Sequence, residues 1–185
     1  MSNQDALWHW GGEGTNWWRR NKAALLDPKR IATDLPLRML ERHSIRPTEV
    51  LEVGAANGYR LEAIRQRYGA NCSGVDCSAE AIADGCRRYP ELHLHVARAS
   101  QLPWWPPSFD LCLLVFTLHW ISRETLAQVV ADVDRVLEPS GHLLIADFLP
   151  TVPTKVRYHH RQDVELWTYK TDYAAIFTAL GIYRE

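Results

Sequence analysis

The sequence predicts an α/β fold, in which a mostly parallel sheet of five strands lies between two layers of helices. Three observations predict it. Short apolar segments alternate with helical ones along the chain, and this alternation is typical of a parallel sheet covered by helices. Residues 109–116, FDLCLLVF, are almost wholly apolar, as a strand covered on both faces must be. The helical segment that follows carries one continuous apolar stripe, at Leu126, Val129, Val130, Val133, Val136 and Leu137.

The part of the chain before the first strand is rich in tryptophan. Four of the eight tryptophans stand there, at Trp8, Trp10, Trp17 and Trp18. Residues 28–43 have a helical pattern that Pro36 kinks or divides. We predict an aromatic helical cap over residues 1–47 and a sheet-forming part over residues 48–185, together one compact domain.

The first half of the predicted sheet contains three strands and two helices. EVLEVG, residues 49–54, is a short buried strand, and residues 58–69 form a helix closed by Gly69. CSGVD is a second strand that ends at Asp76, and Ser78 is placed to cap the next helix. LHLHVA, residues 92–97, alternates as a third strand does.

The second half begins with the apolar strand FDLCLLVF. Ser122 is placed to cap the striped helix, and PSGHLLIADF, residues 139–148, reads as a turn and a fifth strand. A polar, proline-containing connection over residues 150–170 leads to a last helix, residues 171–181.

Composition excludes several classes of protein. The chain of 185 residues has a formal net charge of -1, which gives no electrostatic basis for binding nucleic acid. It lacks both a long apolar run and the pattern of a signal peptide, so we expect no membrane association and a cytoplasmic location. The four cysteines include no CxxC pair, and we predict no metal site.

The loop after the first strand is the place to expect a ligand, because such sheets bind ligands beyond the carboxyl ends of their strands. It reads EVGAANG over residues 52–58, and Asp76 ends the next strand. A carboxylate at Asp76 can accept hydrogen bonds from both hydroxyls of a ribose. A dinucleotide-binding G-x-G-x-x-G loop starting at Gly54 also needs glycines at the positions of Ala56 and Tyr59, so a nicotinamide cofactor is disfavoured.

The loop is similar to the acid-x-G-x-G-x-G motif of the class I S-adenosylmethionine-dependent methyltransferases. Glu52, Gly54 and Gly58 match that motif, and Ala56 departs from it. GVDCS, ARASQLPWWPPSFDLCLLVF and VDRVLEPSGHLLIADF resemble the later motifs of the family. The flanks, WWRRN and YHHRQDVELWTYKTDYAAIF, look like segments of small bacterial methyltransferases found around sugar and surface-glycan biosynthesis.

The resemblance implies a Rossmann-like three-layer α/β/α sandwich that binds S-adenosyl-L-methionine and releases S-adenosyl-L-homocysteine. The implied cofactor contacts are Glu52, Gly54, Ala55, Ala56, Gly58, Asp76, Cys77, Arg98, Ala99 and Phe116. Among these, Asp76 holds the ribose and Cys77 lies against the adenine, or else fills the core. Arg98 stands where the family often has an aspartate. Because arginine has no acceptor, that adenine contact is lost or moves to Ser100 or the backbone, and Arg98 is otherwise a surface charge.

Three histidines are candidate bases. His119 lies just past the fourth strand, and a histidine pKa suits proton transfer near neutrality. The alternative is that His119 only shapes the pocket. His159 and His160 lie in the connection after the fifth strand and reach the same pocket unless they are simply solvated.

The N-terminal aromatic segment is expected to act as a lid. Trp17, Trp18 and Asn21 are the lid or substrate residues, with packing of the tryptophans under their own helix as the alternative.

These expectations lead to one preferred function and three alternatives. The preferred function is methyl transfer to a hydroxyl or carboxyl of a small molecule, with a sugar or sugar nucleotide among the candidates. The alternatives are N-methylation of a small amine, a non-catalytic cofactor-binding scaffold, and, weakest, a nicotinamide oxidoreductase.

The family sheet normally continues with an antiparallel sixth and seventh strand, for which no segment remains after residues 181–185. Either this is a truncated form or the sheet ends at five strands. A five-stranded sheet leaves the fifth strand with an open edge, and we expect either a homodimer through that edge or loss of activity.

Overall fold

The computed structural model describes residues 3–185. The helices are α1 (Asn3–His9), α2 (Glu13–Leu25), α3 (Pro28–Ala32), α4 (Leu35–Arg42), α5 (Tyr59–Tyr68), α6 (Ala79–Arg88), α7 (Leu126–Val136) and α8 (Ala174–Thr178), with a 3₁₀ turn at Leu118–Trp120. The strands are β1 (Glu49–Val53), β2 (Asn71–Asp76), β3 (His93–Val96), β4 (Phe109–Val115), β5 (Leu137–Ala146), β6 (Thr154–Arg157) and β7 (Trp167–Lys170).

Within residues 3–185, β1 to β5 form a five-stranded parallel sheet in the order β3-β2-β1-β4-β5. The predicted α/β sheet is therefore confirmed. The chain moves outward from β1 to β3 and then returns to the other side of β1 with β4. The strand order reverses between β1 and β4, and a crevice for a ligand opens at the carboxyl ends of these two strands.

Helices cover both faces of the sheet. The predicted stripe is confirmed, because all six of its residues are buried in one cluster with Tyr173 and Phe177: Leu126, Val129, Val130, Val133, Val136 and Leu137. On the other face, α5 packs beside α4, whose Leu37 and Leu40 are fully buried. The predicted division of the chain near residue 47 stays a prediction. None of the helices in the described range is long and apolar enough to cross a membrane.

Local capping accounts for several helix starts. Ser78 Oγ accepts a hydrogen bond from Ala81 N at 3.2 Å, as predicted for α6. The helical pattern around Pro36 is divided into α3 and α4, and Asp34 caps α4 through Leu37 N. Pro36 lies in the first turn of α4, where its missing N–H leaves no bond unmade.

The predicted cap of α7 at Ser122 is wrong. The helix begins at Leu126, after a turn in which Ser122 Oγ accepts from Glu124 N at 3.2 Å. The hydroxyl is used inside the turn and is not available to cap a helix four residues later.

The connection over residues 150–170 contains a hairpin that the sequence did not predict. Strands β6 and β7 pair antiparallel as a separate two-stranded sheet in the described part of the chain. All four residues of β6 are exposed, so there is no alternation of apolar and polar side chains to reveal the strand. The hairpin is fastened to α1, because Gln4 Nε2 donates to Trp120 O at 2.7 Å and to Trp167 O at 3.0 Å.

Candidate active site

A cavity of about 400 Å³ lies at the carboxyl ends of the central strands, beneath the N-terminal helices. From the sheet side it is lined by predicted site residues, namely Gly54, Ala55, Ala56, Asp76, Cys77, Arg98, Ala99, Phe116 and His119. From the helical cap it is lined by Asp5, Trp8, His9, Trp17 and Asn21. The cavity thus brings residues of the N-terminal helices together with residues at the ends of the strands.

The loop after β1 follows a tight path against β2 and β4. Gly54 N and Ala55 N both donate to Val75 O, at 2.8 and 2.9 Å. A Cβ atom on Gly54, which has φ of 79°, would lie 2.2 Å from Thr117 Oγ1. Glycine is therefore required there by both conformation and space.

Ala56 adopts a conformation that normally favours glycine. Its φ is 51°, and an alanine in this left-handed region costs about 1–2 kcal/mol. The strain is held by a hydrogen bond from Ala56 N to Asp76 Oδ2 at 2.8 Å. The alanine in the glycine motif thus keeps the glycine-like backbone that lets the loop meet the end of β2.

Asp76 is the acidic acceptor of the cavity. Its Oδ1 accepts from Ser78 N at 2.8 Å, and its Oδ2 accepts from Ala56 N. Burial raises the pKa of Asp76, and these two amides partly oppose that rise. Each carboxylate oxygen keeps further acceptor capacity, so Asp76 can accept from a pair of neighbouring hydroxyls in the cavity.

A buried ion network lies behind the loop. Arg60 Nε donates to Asp34 Oδ1 at 3.0 Å, its Nη1 donates to Glu52 Oε1, and its Nη2 donates to Tyr59 Oη at 2.8 Å. Among residues 3–185, Glu52 Oε2 is buried and without a hydrogen-bond partner. One guanidinium thus serves two carboxylates, and burial raises the pKa of Glu52 to about 7.

Glu52→Gln is expected to change how stability depends on pH. The pKa of Glu52 in the folded chain, about 7, lies above its ordinary value of 4.5. The folded state therefore binds more protons than the unfolded state between these values, and stability falls as pH rises through this window, by up to roughly 1.4 kcal/mol per pH unit. Urea unfolding of both proteins across the window measures the difference. Parallel stability curves would contradict the assignment.

His119 is paired with an aspartate that the sequence analysis did not single out. His119 Nδ1 lies 2.8 Å from Asp147 Oδ1, and both side chains are almost fully buried. The contact is one of distance and charge, because Nδ1 has no partner with hydrogen-bond geometry among residues 3–185. His119 N donates to Asp147 Oδ2 at 3.2 Å. The rings of Trp120 and Phe148 lie 4.4 and 5.0 Å from the imidazole. Asp147 follows β5, whose carboxyl end adjoins that of β4, and this adjacency was the available signal.

Five predicted residues do not line the cavity formed by residues 3–185: Glu52, Gly58, Trp18, His159 and His160. Gly58 begins α5 with φ of 78°. His159 and His160 are exposed beyond β6 and stack on each other at 3.9 Å.

The two adjacent tryptophans of α2 have different surroundings. Trp17 lines the cavity, whereas Trp18 is fully buried in a cluster with Tyr59 and Ala81. Consecutive helical residues point about 100° apart, so one helix presents one tryptophan to the cavity and the other to the core. Asn21 lies one turn after Trp17, and its Nδ2 donates to Trp17 O at 2.8 Å.

Arg98 contacts the cap. Its guanidinium lies over the ring of Trp10, 5.4 Å from the centroid. Burial, with the nearby charge of Arg98 as a second cause, lowers the pKa of His9. Arg98 therefore joins the end of α1 to the edge of the cavity. No cluster of side chains suited to a metal ion occurs among the residues that the structure describes.

Comparison with known proteins gives consistent matches. The sequence model of a family described as "Methyltransferase domain" matches residues 50–141. A malonyl-[acyl-carrier protein] O-methyltransferase of Halorhodospira halophila is 29% identical over 143 residues, which are 75% of this chain and 47% of that protein. The chain spans about half the length of the curated relatives it matches.

Solved structures share the fold. The PH0226 protein of Pyrococcus horikoshii aligns with a TM-score of 0.65 at 20% identity, over 86% of this chain and 84% of that one. S-adenosylmethionine-bound CalS10, an amino pentose methyltransferase of Micromonospora echinaspora, aligns with a TM-score of 0.55 at 19% identity, over 69% and 57%. At these identities the likeness shows the fold.

Proposed function

We propose that this chain, which belongs to the class I S-adenosylmethionine-dependent methyltransferase superfamily, transfers a methyl group to a hydroxyl or carboxyl of a small molecule. The observation that carries the proposal is the arrangement within one cavity. Asp76 and the Gly54–Ala56 loop lie on its floor, and His119, paired with Asp147, lines the same cavity.

The lining fits the cofactor of that superfamily. Asp76 offers carboxylate oxygens to a ribose, Cys77 and Ala99 offer a small apolar wall to an adenine, and Gly54 lets the backbone approach a methionyl chain. Glu52 does not line the cavity; it lies behind the loop, where its carboxylate binds Arg60. When bound, S-adenosyl-L-methionine supplies an electrophilic methyl group on a positively charged sulfur and leaves as S-adenosyl-L-homocysteine.

The residues of the chain then have two tasks. Trp17 and the α1 segment exclude water above the cavity, which strengthens positioning of the reactants. His119 accepts the proton of the acceptor hydroxyl through its Nε2, because Asp147 Oδ1 lies 2.8 Å from Nδ1 and occupies that side of the ring. A carboxylate acceptor arrives without a proton and needs only the positioning.

Two alternatives from the sequence stay predictions. In an N-methyltransferase of a small amine, His119 shapes the pocket and does not act as a base. In a non-catalytic member, the cavity binds the cofactor and the protein acts through a partner. The proposed sugar acceptor, the homodimer through the β5 edge, the absence of nucleic-acid partners and the cytoplasmic location all stay predictions.

A product assay tests the proposal. The protein is incubated with S-adenosylmethionine and a panel of small hydroxy compounds, carboxylates and amines, and S-adenosylhomocysteine is quantified by mass spectrometry. We expect turnover with hydroxy or carboxyl compounds. Turnover with amines alone favours the first alternative, and cofactor binding with no turnover across the panel favours the second.

A further inference from the structure

A second cavity lies beside the first, at the carboxyl ends of β4 and β5. Its volume is about 450 Å³, and Pro36, Met39 and residues 144–147 form much of its wall. Arg30 and Phe116 line both cavities. The two cavities therefore meet along a common wall, and the methyl-transfer site described above uses only one of them.

The charged side chains that line this second cavity contact an oppositely charged group or an imidazole, except for that of Arg30. Arg60 is bound by Glu52 and Asp34, and Asp147 faces His119. Arg30 Nε donates to Tyr59 Oη at 3.1 Å, which fixes the guanidinium at the common wall. Arg30 makes no ion pair with any residue in the described part of the chain. Its remaining donors suit a carboxylate.

Apart from these charged groups and Thr33, the lining of the second cavity is apolar. Met39, Leu144, Ile145 and Phe116 contribute to its wall. The Phe116 ring also contacts that of His119 edge-on, at 6.3 Å between centroids. A ligand with one anionic end and an apolar body matches this lining. Phe116 lies between the second cavity and the candidate base His119.

We infer that the second cavity binds the methyl acceptor, and that the acceptor is a small hydroxycarboxylate whose carboxylate pairs with Arg30 and whose hydroxyl faces His119. This inference rests on the proposed function and adds the substrate class to it. Because the carboxylate is bound by Arg30, the hydroxyl is the group that receives the methyl.

Met39 provides a direct reporter of binding. The chain has two methionines, Met1 and Met39, and labelling with [¹³C-methyl]methionine gives two signals that a Met39→Leu variant assigns. The signals are followed while 4-hydroxybenzoate or lactate is added, each compared with its neutral amide, in the presence and absence of S-adenosylhomocysteine. We expect saturable movement of the Met39 signal with at least one carboxylate and about tenfold weaker binding of its amide.

Variants of Arg30 test the handle. Arg30→Gln is expected to weaken binding of the carboxylate compound to the level of its amide. Arg30→Lys should retain part of the preference for the carboxylate over the amide, because it keeps the charge. Arg38→Gln is the matched control, since Arg38 is an exposed arginine of the neighbouring helix. Urea unfolding of each variant shows whether it is folded.

Three results would overturn the inference: no movement of the Met39 signal with either carboxylate, equal binding of acid and amide, or an unchanged preference in Arg30→Gln. A tenfold loss of S-adenosylhomocysteine affinity in Arg30→Gln, read by calorimetry, would also overturn it, since Arg30 would then serve the cofactor. Failure of the wild-type chain to bind S-adenosylhomocysteine would instead contradict the proposed function. The titration without S-adenosylhomocysteine would still measure binding of the carboxylates to the second cavity.

Discussion

Replacing Arg60 by methionine is expected to lower the free energy of unfolding by about 3–5 kcal/mol near neutral pH. Arg60 is almost fully buried and is the shared partner of Glu52 and Asp34, both buried as well. Methionine fills much of the volume but leaves two carboxylates without a counter-charge. Urea unfolding measures the loss.

Arg60 opposes the rise in the pKa of Glu52, which is about 7 with the arginine present, so this pKa should rise further in Arg60→Met. The loss should therefore shrink as pH falls from alkaline values toward 7, because protonation of Glu52 in the variant removes one of the stranded charges. Adding Glu52→Gln to Arg60→Met should recover part of the loss for the same reason. Arg65→Met on the same helix is the control. It breaks the partly exposed pair with Glu62 and should cost far less stability than Arg60→Met, because solvent screens that pair. Equal losses in the two arginine variants would contradict a structural role for the buried network.

His119→Ala is expected to lower kcat/KM about 100- to 10,000-fold for a hydroxyl acceptor identified by the product assay. The reason is that His119 lines the cavity just after β4 and has a buried carboxylate, that of Asp147, 2.8 Å from its Nδ1. Asp147→Asn should lower kcat/KM less than His119→Ala does. It should also change the pH profile of kcat/KM, because it removes the negative charge beside the imidazole of His119. Steady-state kinetics with calorimetric S-adenosylhomocysteine binding separates these effects from loss of cofactor affinity.

The other two candidate bases supply the control. His159→Ala and His160→Ala change exposed side chains outside the cavity and should leave kcat/KM within about twofold. A large loss of kcat/KM in either variant, with His119→Ala still active, would indicate that His159 or His160 is the base. Retained activity in all three would show that the acceptor needs no base.

The sheet could be predicted because its signals are local. The strand FDLCLLVF is apolar at every position but Asp110, and Ser78 stands one residue before α6 and caps it. The hairpin β6–β7 gave no such signal, since β6 is exposed on both sides. Ser122 has the residue type of a cap, but the turn after it takes its hydroxyl first.

Site residues were predictable where a motif fixes their place on the sheet. Asp76 and Gly54 meet in the cavity because parallel strands end at one edge. The partners of those residues were harder to predict. Asp147 meets His119 across two strands, and Arg60 meets Asp34 and Glu52 from three separate elements, so no spacing along the chain records these contacts. Trp17 and Trp18 are identical in sequence terms, and only the rotation of α2 separates them.

The most direct test of the account is the calorimetric titration of the wild-type chain and Asp76→Ala with S-adenosylhomocysteine, with NAD as the comparison ligand. We expect micromolar binding of S-adenosylhomocysteine, no binding of NAD, and a loss of roughly 1–3 kcal/mol of binding free energy in Asp76→Ala, because the carboxylate carries the ribose hydrogen bonds. Asp110→Asn, at the opposite end of the sheet, should bind as the wild type does. Unchanged affinity in Asp76→Ala, or preference for NAD, would contradict the account.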